Sequence, residues 1–500
     1  MNSPLRRVTL VVVALFALLF LNLNWVQFVN SDYYKDSAYN RRTTLEEYSR
    51  ERGLILAGNQ TLAKSVKTKD GELKYQREYP QKDPYAHLTG FMSLTFGSTG
   101  IEKAENDILN GEAPMLFTDR VGEMFTGDEV SGGNVVLSIK PKLQEQAWKA
   151  LTDYSNNQSV TPGAPEAAVM LDPATGHVLA QVSTPSYDPN PMASHDNNEV
   201  AKTWKDLNAD GAGNPALDRA TQDSFPPGST MKVLVAAAAL KAGLTPDTMI
   251  DAGNSYNPPQ GGDIEITNSD GQCPEKQLTM KEALARSCNT AFAKLCVDNF
   301  QGKVDDGAEA MKEITDDFGF GDDSLTTPLT VAPSTLGNVD AKSYLARACF
   351  GQQEVKETPM MDAMISATIA NDGDQMTPNL IKELQYSDET TADTPAPDSR
   401  ATPIDSNVAS QLREMMEEVV NGEHGTGKKA QIPGVTVGGK TGTAEHGEGA
   451  PEHGWFTGYA MDDNGNPKVA VSVLLTDAGE HGSGDATQIA GDLMKTYLGK

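Results

Sequence analysis

Ser229-Thr230-Met231-Lys232 sets a hydroxyl three residues before an ammonium, behind Pro226-Pro227-Gly228 and ahead of the apolar run Val233 to Leu240. A serine hydroxyl is a poor nucleophile at neutral pH and needs a base beside it. Lysine is such a base only when burial or a second positive charge lowers its pKa. Positions i and i+3 of a helix share one face, and a helix N-terminus offers free N–H groups to developing negative charge. The pair could therefore form an ester on Ser229, with Lys232 taking the proton. About one or two S-x-x-K patterns arise by chance at this length and average usage. An N-capping serine beside a snorkelling lysine is thus the plain alternative.

Two further signals follow in order: Ser287-Cys288-Asn289, then Lys440-Thr441-Gly442. S-x-N is weak by itself and matches Ser155-Asn156-Asn157 as well. K-T-G occurs once, between Gly438-Gly439 and Thr443, in a strand-like context. Taken jointly, the three are specific. GVTVGGKT, residues 434 to 441, also fits the phosphate-loop pattern letter for letter. That loop needs a strand before its first glycine and a helix after its threonine. TGTAEHGEGAPEHG cannot start a helix promptly, so a strand is expected to run through the motif instead. No serine is set in G-x-S-x-G. His446, His453 and His481 lie in Gly-rich acidic loops without ligand spacing and read as solvated. No metal or cofactor is expected.

Stepping outward, 500 residues imply two or three domains. Against 41 Lys+Arg stand 69 Asp+Glu, a formal charge of −28, which repels phosphate backbones and argues against nucleic acid as a partner. Arg6 and Arg7 precede Val8 to Leu21, where Thr9 alone is polar, and diluted apolar character continues to Val29. About 22 residues at ~1.5 Å each reach roughly 33 Å, enough to cross a bilayer. No small-x-small cleavage site precedes Ser31-Asp32-Tyr33, and the paired arginines keep the short side cytoplasmic. A single signal anchor with an outward-facing chain is expected. All four cysteines lie in the second half. On one helix Cys288 and Cys296 would sit about 12 Å apart, beyond disulfide reach. A Cys273–Cys288 bridge is the expectation, with four buried thiols as the alternative.

NNQSVTPGAPE, residues 156 to 166, reads as a linker, and EAAVMLDPATGHVLAQVS as two strands about a tight turn. Ser229 is expected to open a helix reaching Leu240 and ending at Gly243, buried on nearly every face because it is apolar on nearly every face. Thr279 to Glu282 forms a capping box, and Ser406 is expected to cap the helix that follows it. Residues 385 to 405 contain little to bury and read as an exposed excursion. VTVGGKTGTAEH and PKVAVSVLLTD read as strands and TQIAGDLMKTYL as a closing helix.

The S-x-x-K, S-x-N and K-T-G triple in this order resembles the penicillin-binding protein and serine β-lactamase superfamily. Arg52-Gly53-Leu54-Ile55, GSTGIEKAENDILNG, LDPATGHVLAQVSTPSYDPN and KTGTAEH extend the likeness along nearly the whole chain to class B penicillin-binding proteins. The chain departs from that pattern at Leu56-Ala57-Gly58-Asn59, where those proteins usually have Asp-Arg-Asn-Gly. The resemblance implies an α+β fold: a membrane-anchored mixed α/β pedestal, then a transpeptidase domain with a central antiparallel sheet and helices on both sides. The corresponding spans are 1–7 cytoplasmic, 8–29 transmembrane, 30–155 pedestal and 156–500 penicillin-binding domain.

The implied activity is peptidoglycan D,D-transpeptidation of stem peptides ending in D-Ala-D-Ala, with β-lactam antibiotics acylating the same serine. Ser229 would be the nucleophile, Lys232 its base and Ser287 a proton relay. Asn289, Lys440, Thr441, Gly442 and Thr443 would hold the substrate, with the N–H groups of Ser229 and Thr443 as oxyanion donors. Lacking a polymerase, such a protein would work with a membrane glycosyltransferase of the SEDS family. A D,D-carboxypeptidase shares the motifs. A non-enzymatic penicillin sensor would carry several membrane spans, and a β-lactamase would lack the pedestal.

Overall fold

The computed structural model describes residues 3–26, 47–69, 71–116, 131–157, 161, 163–209, 213–259, 264–269, 271–447 and 449–500. The apolar N-terminal stretch is one helix, α1 (Ser3–Asn24). Its window Arg6–Asn24 is long and apolar enough to cross a membrane, and none of it is covered by the rest of the chain. Residues 27–29, the end of the expected span, lie outside the described residues.

A first sheet is built from β1 (Ile55–Ala57), β2 (Gln60–Lys67), β3 (Tyr75–Glu78) and β4 (Asn134–Leu137). The two segments that carry the family likeness meet beside it. Arg52 Nε lies 2.6 Å from Glu102 Oε2, and Arg77 Nε lies 2.5 Å from Glu102 Oε1, all three buried. A buried carboxylate flanked by two guanidiniums stays ionised despite burial, and its pKa is lowered.

Helix α2 (Pro141–Asn157) follows, then β5 (Glu166–Leu171) and β6 (Val178–Thr184), joined by a turn in which Gly176 takes φ +73°. This is the hairpin expected from the sequence. The remaining main elements are α3 (Lys232–Lys241), α4 (Met280–Ala285), α5 (Asn289–Val297), α6 (Pro359–Ala370), β7 (Ile381–Gln385), β8 (Thr391–Asp393), α7 (Ser406–Asn421), β9 (Thr436–Ala444), β10 (His453–Met461), β11 (Pro467–Leu475) and α8 (Gly482–Leu498).

The second sheet runs β9-β10-β11-β5-β6, antiparallel throughout. Side chains alternate across a strand, so its two faces can be sorted residue by residue. Ala168 and Met170 of β5 pack with Leu151 of α2 and Leu493 of α8, whereas Ala167, Val169 and Leu171 join the core formed by α3, α6 and α7. Helices on both faces explain why all six β5 residues are buried. A mixed α/β fold with a central antiparallel sheet between helices is thus the observed architecture.

Three local expectations change. Ser229 does not open an α-helix: Gly228–Met231 is a 3₁₀ turn that runs into α3. The cap of α7 is Asp405, whose Oδ1 accepts from Val408 N at 2.8 Å, and Ser406 is already helical. A carboxylate at that position also complements the positive helix end. Residues 385 to 405 are exposed for the most part, yet they hold β8. Strands β7 and β8 extend the first sheet, in the order β8-β7-β4-β1-β2-β3. As expected, no helix follows Thr441; β9 runs through the motif to Ala444, against the phosphate-loop pattern. Of the capping box at α4 only one half forms: Thr279 Oγ1 accepts from Glu282 N at 3.1 Å, while the Glu282 carboxylate pairs with Arg286.

Two disulfides join Cys273 to Cys288 and Cys296 to Cys349. The first is the expected bridge; the second was not foreseen, and the free-thiol alternative falls.

Candidate active site

The 3₁₀ turn is held in place by close backbone approaches. A Cβ on Gly228 would lie 2.2 Å from Thr443 O, and one on Gly351 would lie 1.9 Å from Gly228 O. Only glycine fits at either place, and Gly228 also takes φ +58°. The turn thus sits between β9 and the Gly351 loop. Behind it, Lys232 to Leu240 of α3 are all buried, which makes the base of the site rigid.

Lys232 Nζ lies 2.9 Å from Ser229 Oγ, 2.7 Å from Ser287 O, 3.2 Å from Ser287 Oγ and 2.7 Å from Asn289 Oδ1. Its side chain has no exposed surface. Burial first, then the charge of Lys440, pulls its pKa well below the ordinary lysine value. A neutral amine has two hydrogens and one lone pair. The Ser287 carbonyl and Asn289 Oδ1 can only accept, so they take the two hydrogens. The lone pair is left to the two hydroxyls, Ser229 Oγ at 2.9 Å and Ser287 Oγ at 3.2 Å, of which Ser229 is the nearer. This is the arrangement a general base needs.

Lys440 Nζ donates to Ser287 Oγ at 2.9 Å and to Thr441 O at 2.8 Å, and burial lowers its pKa to about 7. Ser287 Oγ thus sits between two lysines, as a proton relay would. Ser287 itself adopts φ +60°, an uncommon conformation for a non-glycine residue. Hydrogen bonds from Ser287 N to Leu284 O and from Cys288 N to Ala283 O hold it against the end of α4. Asn289 starts α5, and its Nδ2 donates to Thr267 O at 3.0 Å.

β9 is an edge strand of its sheet, so its outer side is open to a ligand. Thr441 and Thr443 share one face of it by alternation and line a cleft of about 460 Å³ together with Ser229, Ser287 and Asn289. Gly442 points the other way. A Cβ there would meet Trp455 Cβ at 2.7 Å, Pro227 O at 2.8 Å and Thr230 Cγ2 at 3.0 Å. The glycine therefore lets β9 pack on the nucleophile's turn.

Of the eight residues singled out from the sequence, five line this cleft, Lys232 and Lys440 both reach Ser287, and Gly442 packs on the nucleophile's turn. Others were missed. Thr426 shares a 2.7 Å hydrogen bond with Thr441 Oγ1, and Thr267, Arg347 and Glu445 line the cleft. No pattern marks the first three; Glu445 could have been found by extending the i, i+2 row from Thr443.

A family description of the penicillin-binding protein transpeptidase domain matches residues 166–495, and one of the penicillin-binding protein A dimerisation domain matches residues 52–135. The chain belongs to the penicillin-binding protein transpeptidase family. Among its relatives is the peptidoglycan D,D-transpeptidase PbpA of Mycolicibacterium smegmatis, 39% identical over 502 residues, covering 100% of this chain and 98% of that one. The crystal structure of PBPA from Mycobacterium tuberculosis superposes with a TM-score of 0.82 at 38% identity, covering 90% of this chain and 100% of that one. The penicillin G acyl-enzyme complex of the same protein gives 0.79 at 37%, covering 90% and 99%.

Proposed function

We infer that the protein is a peptidoglycan D,D-transpeptidase acting through an ester on Ser229. The observation that carries this is the buried Lys232 amine 2.9 Å from Ser229 Oγ, with acceptors at hand for both of its hydrogens. Ser229 Oγ attacks the carbonyl carbon of the penultimate D-Ala, and its proton passes to Lys232. The N–H groups of Ser229 and Thr443 hold the oxyanion, supported by the contact between Gly228 and the Thr443 backbone. The C–N bond then breaks, and Ser287 relays a proton to the departing D-Ala amine. Lys440, Thr441 and Thr443 bind the substrate's terminal carboxylate, and Asn289 holds the peptide and Lys232. An acceptor amine from a second stem peptide reverses these steps and forms the cross-link. A β-lactam opens onto Ser229 by the same attack.

Labelled penicillin should attach to Ser229 in the full-length protein, and Ser229→Ala should abolish labelling. Retained labelling in that variant would sink the assignment. A stem-peptide cross-linking assay separates transpeptidation from carboxypeptidase action, which releases D-Ala without a dimer. We further propose that α1 spans the cell membrane with residues 30–500 outside, and that a SEDS-family glycosyltransferase supplies the glycan strands. Co-purification from membranes, lost when residues 1–30 are exchanged for another anchor, is the expected result.

A further inference from the structure

Three side chains that the reaction does not use converge beside the cleft. His446 lies in the loop between β9 and β10, His453 is the first residue of β10, and Asp477 lies two residues beyond β11. Their ligating atoms are all within 4.8 Å of one another. His446 Nε2 is 2.6 Å from Asp477 Oδ1 and 2.9 Å from the Pro451 carbonyl. His453 Nδ1 is 3.9 Å from the same carboxylate oxygen and accepts from Asp477 N at 3.1 Å. The sequence reading of these histidines as solvated is wrong for His453, which is 5% exposed and stacks on the His446 ring at 3.7 Å.

The carboxylate is the unexplained part. Asp477 Oδ1 is enclosed, and its near neighbour is His446 Nε2 at 2.6 Å, a nitrogen whose single hydrogen is also claimed by the Pro451 carbonyl at 2.9 Å. A buried carboxylate oxygen without a donor of its own is costly. Asp477 also holds φ +48°, in the left-handed region. Backbone strain of this kind persists where the surroundings require it. A cation between the three groups would satisfy that oxygen and the two ring nitrogens together.

We propose that His446, His453 and Asp477 bind a divalent cation of the zinc class. Two imidazole nitrogens and one carboxylate oxygen suit zinc, and the Pro451 carbonyl or a water can complete a four-coordinate set. Each imidazole donates in its own ring plane, so the stacked rings must splay when the ion enters. Binding would fasten the β9–β10 loop to the β11–α8 turn. Those segments carry Glu445, Glu452 and Ser483, which line the cleft, and two hydrogen bonds to Glu452 O already tie them together. The ion is thus a clip at the cleft mouth, distinct from the Ser229–Lys232 machinery.

The test uses full-length protein in detergent, without a histidine tag and stripped with a chelator. Equilibrium dialysis against Zn²⁺ should leave one equivalent bound and raise the melting temperature. His446→Ala and Asp477→Asn should each weaken binding at least ~10-fold, as loss of metal-site groups does, while His424→Ala, outside the cluster, should not. Zinc held equally by the cluster variants, or not held by the parent protein, overturns the proposal. Should a variant fail to fold by circular dichroism, Co²⁺ bound to the parent protein decides the matter. Intense visible bands of a four-coordinate ion support the site; their absence refutes it. None of these readouts depends on penicillin or peptide turnover, so the transpeptidase reading stands or falls separately.

Discussion

A lysine with no exposed surface is uncommon because its charge must be given up or paired. Here there are two, Lys232 and Lys440, and their shared neighbour Ser287 lies between them. The same physics operates at carboxylates away from the cleft. Glu166, at the start of β5, is buried with Oε1 unpartnered among the described residues, and burial raises its pKa to about 8 against a weak opposing hydrogen bond from Thr184. An acid whose folded pKa is raised binds its proton more tightly in the folded chain. Stability is therefore lost as pH climbs from the unfolded value near ~4.3 through the folded one. Melting temperatures should fall between pH 5 and pH 9. Glu166→Gln should flatten that slope, and an unchanged slope would show that Glu166 is not its source.

At the scale of elements, the site depends on how closely β9, the 3₁₀ turn and α5 approach. Gly442→Ala would drive a methyl group into Pro227 O and the Trp455 side chain, both of which are anchored. The strand must then retreat from Ser229 by a few tenths of an ångström or more. Misplacement on that order costs reactions up to ~10²-fold, so penicillin acylation should slow by about that factor. Stopped-flow labelling of a folded variant at the parent rate would contradict this.

The Cys273–Cys288 bridge acts at the same scale. Cys288 stands between Ser287 and Asn289, while Cys273 belongs to the segment whose Ile266, Thr267 and Gln272 line the cleft. Closing a 15-residue separation constrains the unfolded chain by about 3 kcal/mol in the loop-entropy account. Replacing both cysteines with serine should lower the midpoint of thermal unfolding by several degrees, measured by scanning calorimetry.

For the whole molecule, the two sheets do not divide cleanly along the chain. β7, which comes after α6, pairs with β4 through Leu384↔Val135 and Gln385↔Asn134 and extends the pedestal sheet. Ile55, Val135 and Leu137 of that sheet share a continuous core with Ile381 and Leu384. Helix α2, N-terminal to the expected boundary at 155, packs on β6, and Gln144 exchanges hydrogen bonds with the Gln181 backbone at 2.6 and 2.9 Å. A fragment of residues 47–138 would keep β4 paired with β1 but strip β7 from its other edge and Ile381 and Leu384 from the shared core. We expect it to lack a cooperative unfolding transition, whereas residues 47–500 should show one. Cooperative melting of the short fragment would mean that the pedestal core stands alone.

The chemistry was legible in the sequence because it depends on few residue types at short spacings. Ser229 and Lys232 must be one turn apart, a strand must carry Thr441 and Thr443 on one face, and apolar runs must be buried. Each is a local requirement written in consecutive residues. What the tertiary structure alone decided was everything resting on distance through space: Ser287 between two lysines, Gly442 pressed on Pro227, β7 beside β4, Cys296 bonded to Cys349, and two histidines stacked over a strained aspartate. Those contacts join residues up to several hundred positions apart. No periodicity along a chain encodes which of its distant segments will touch.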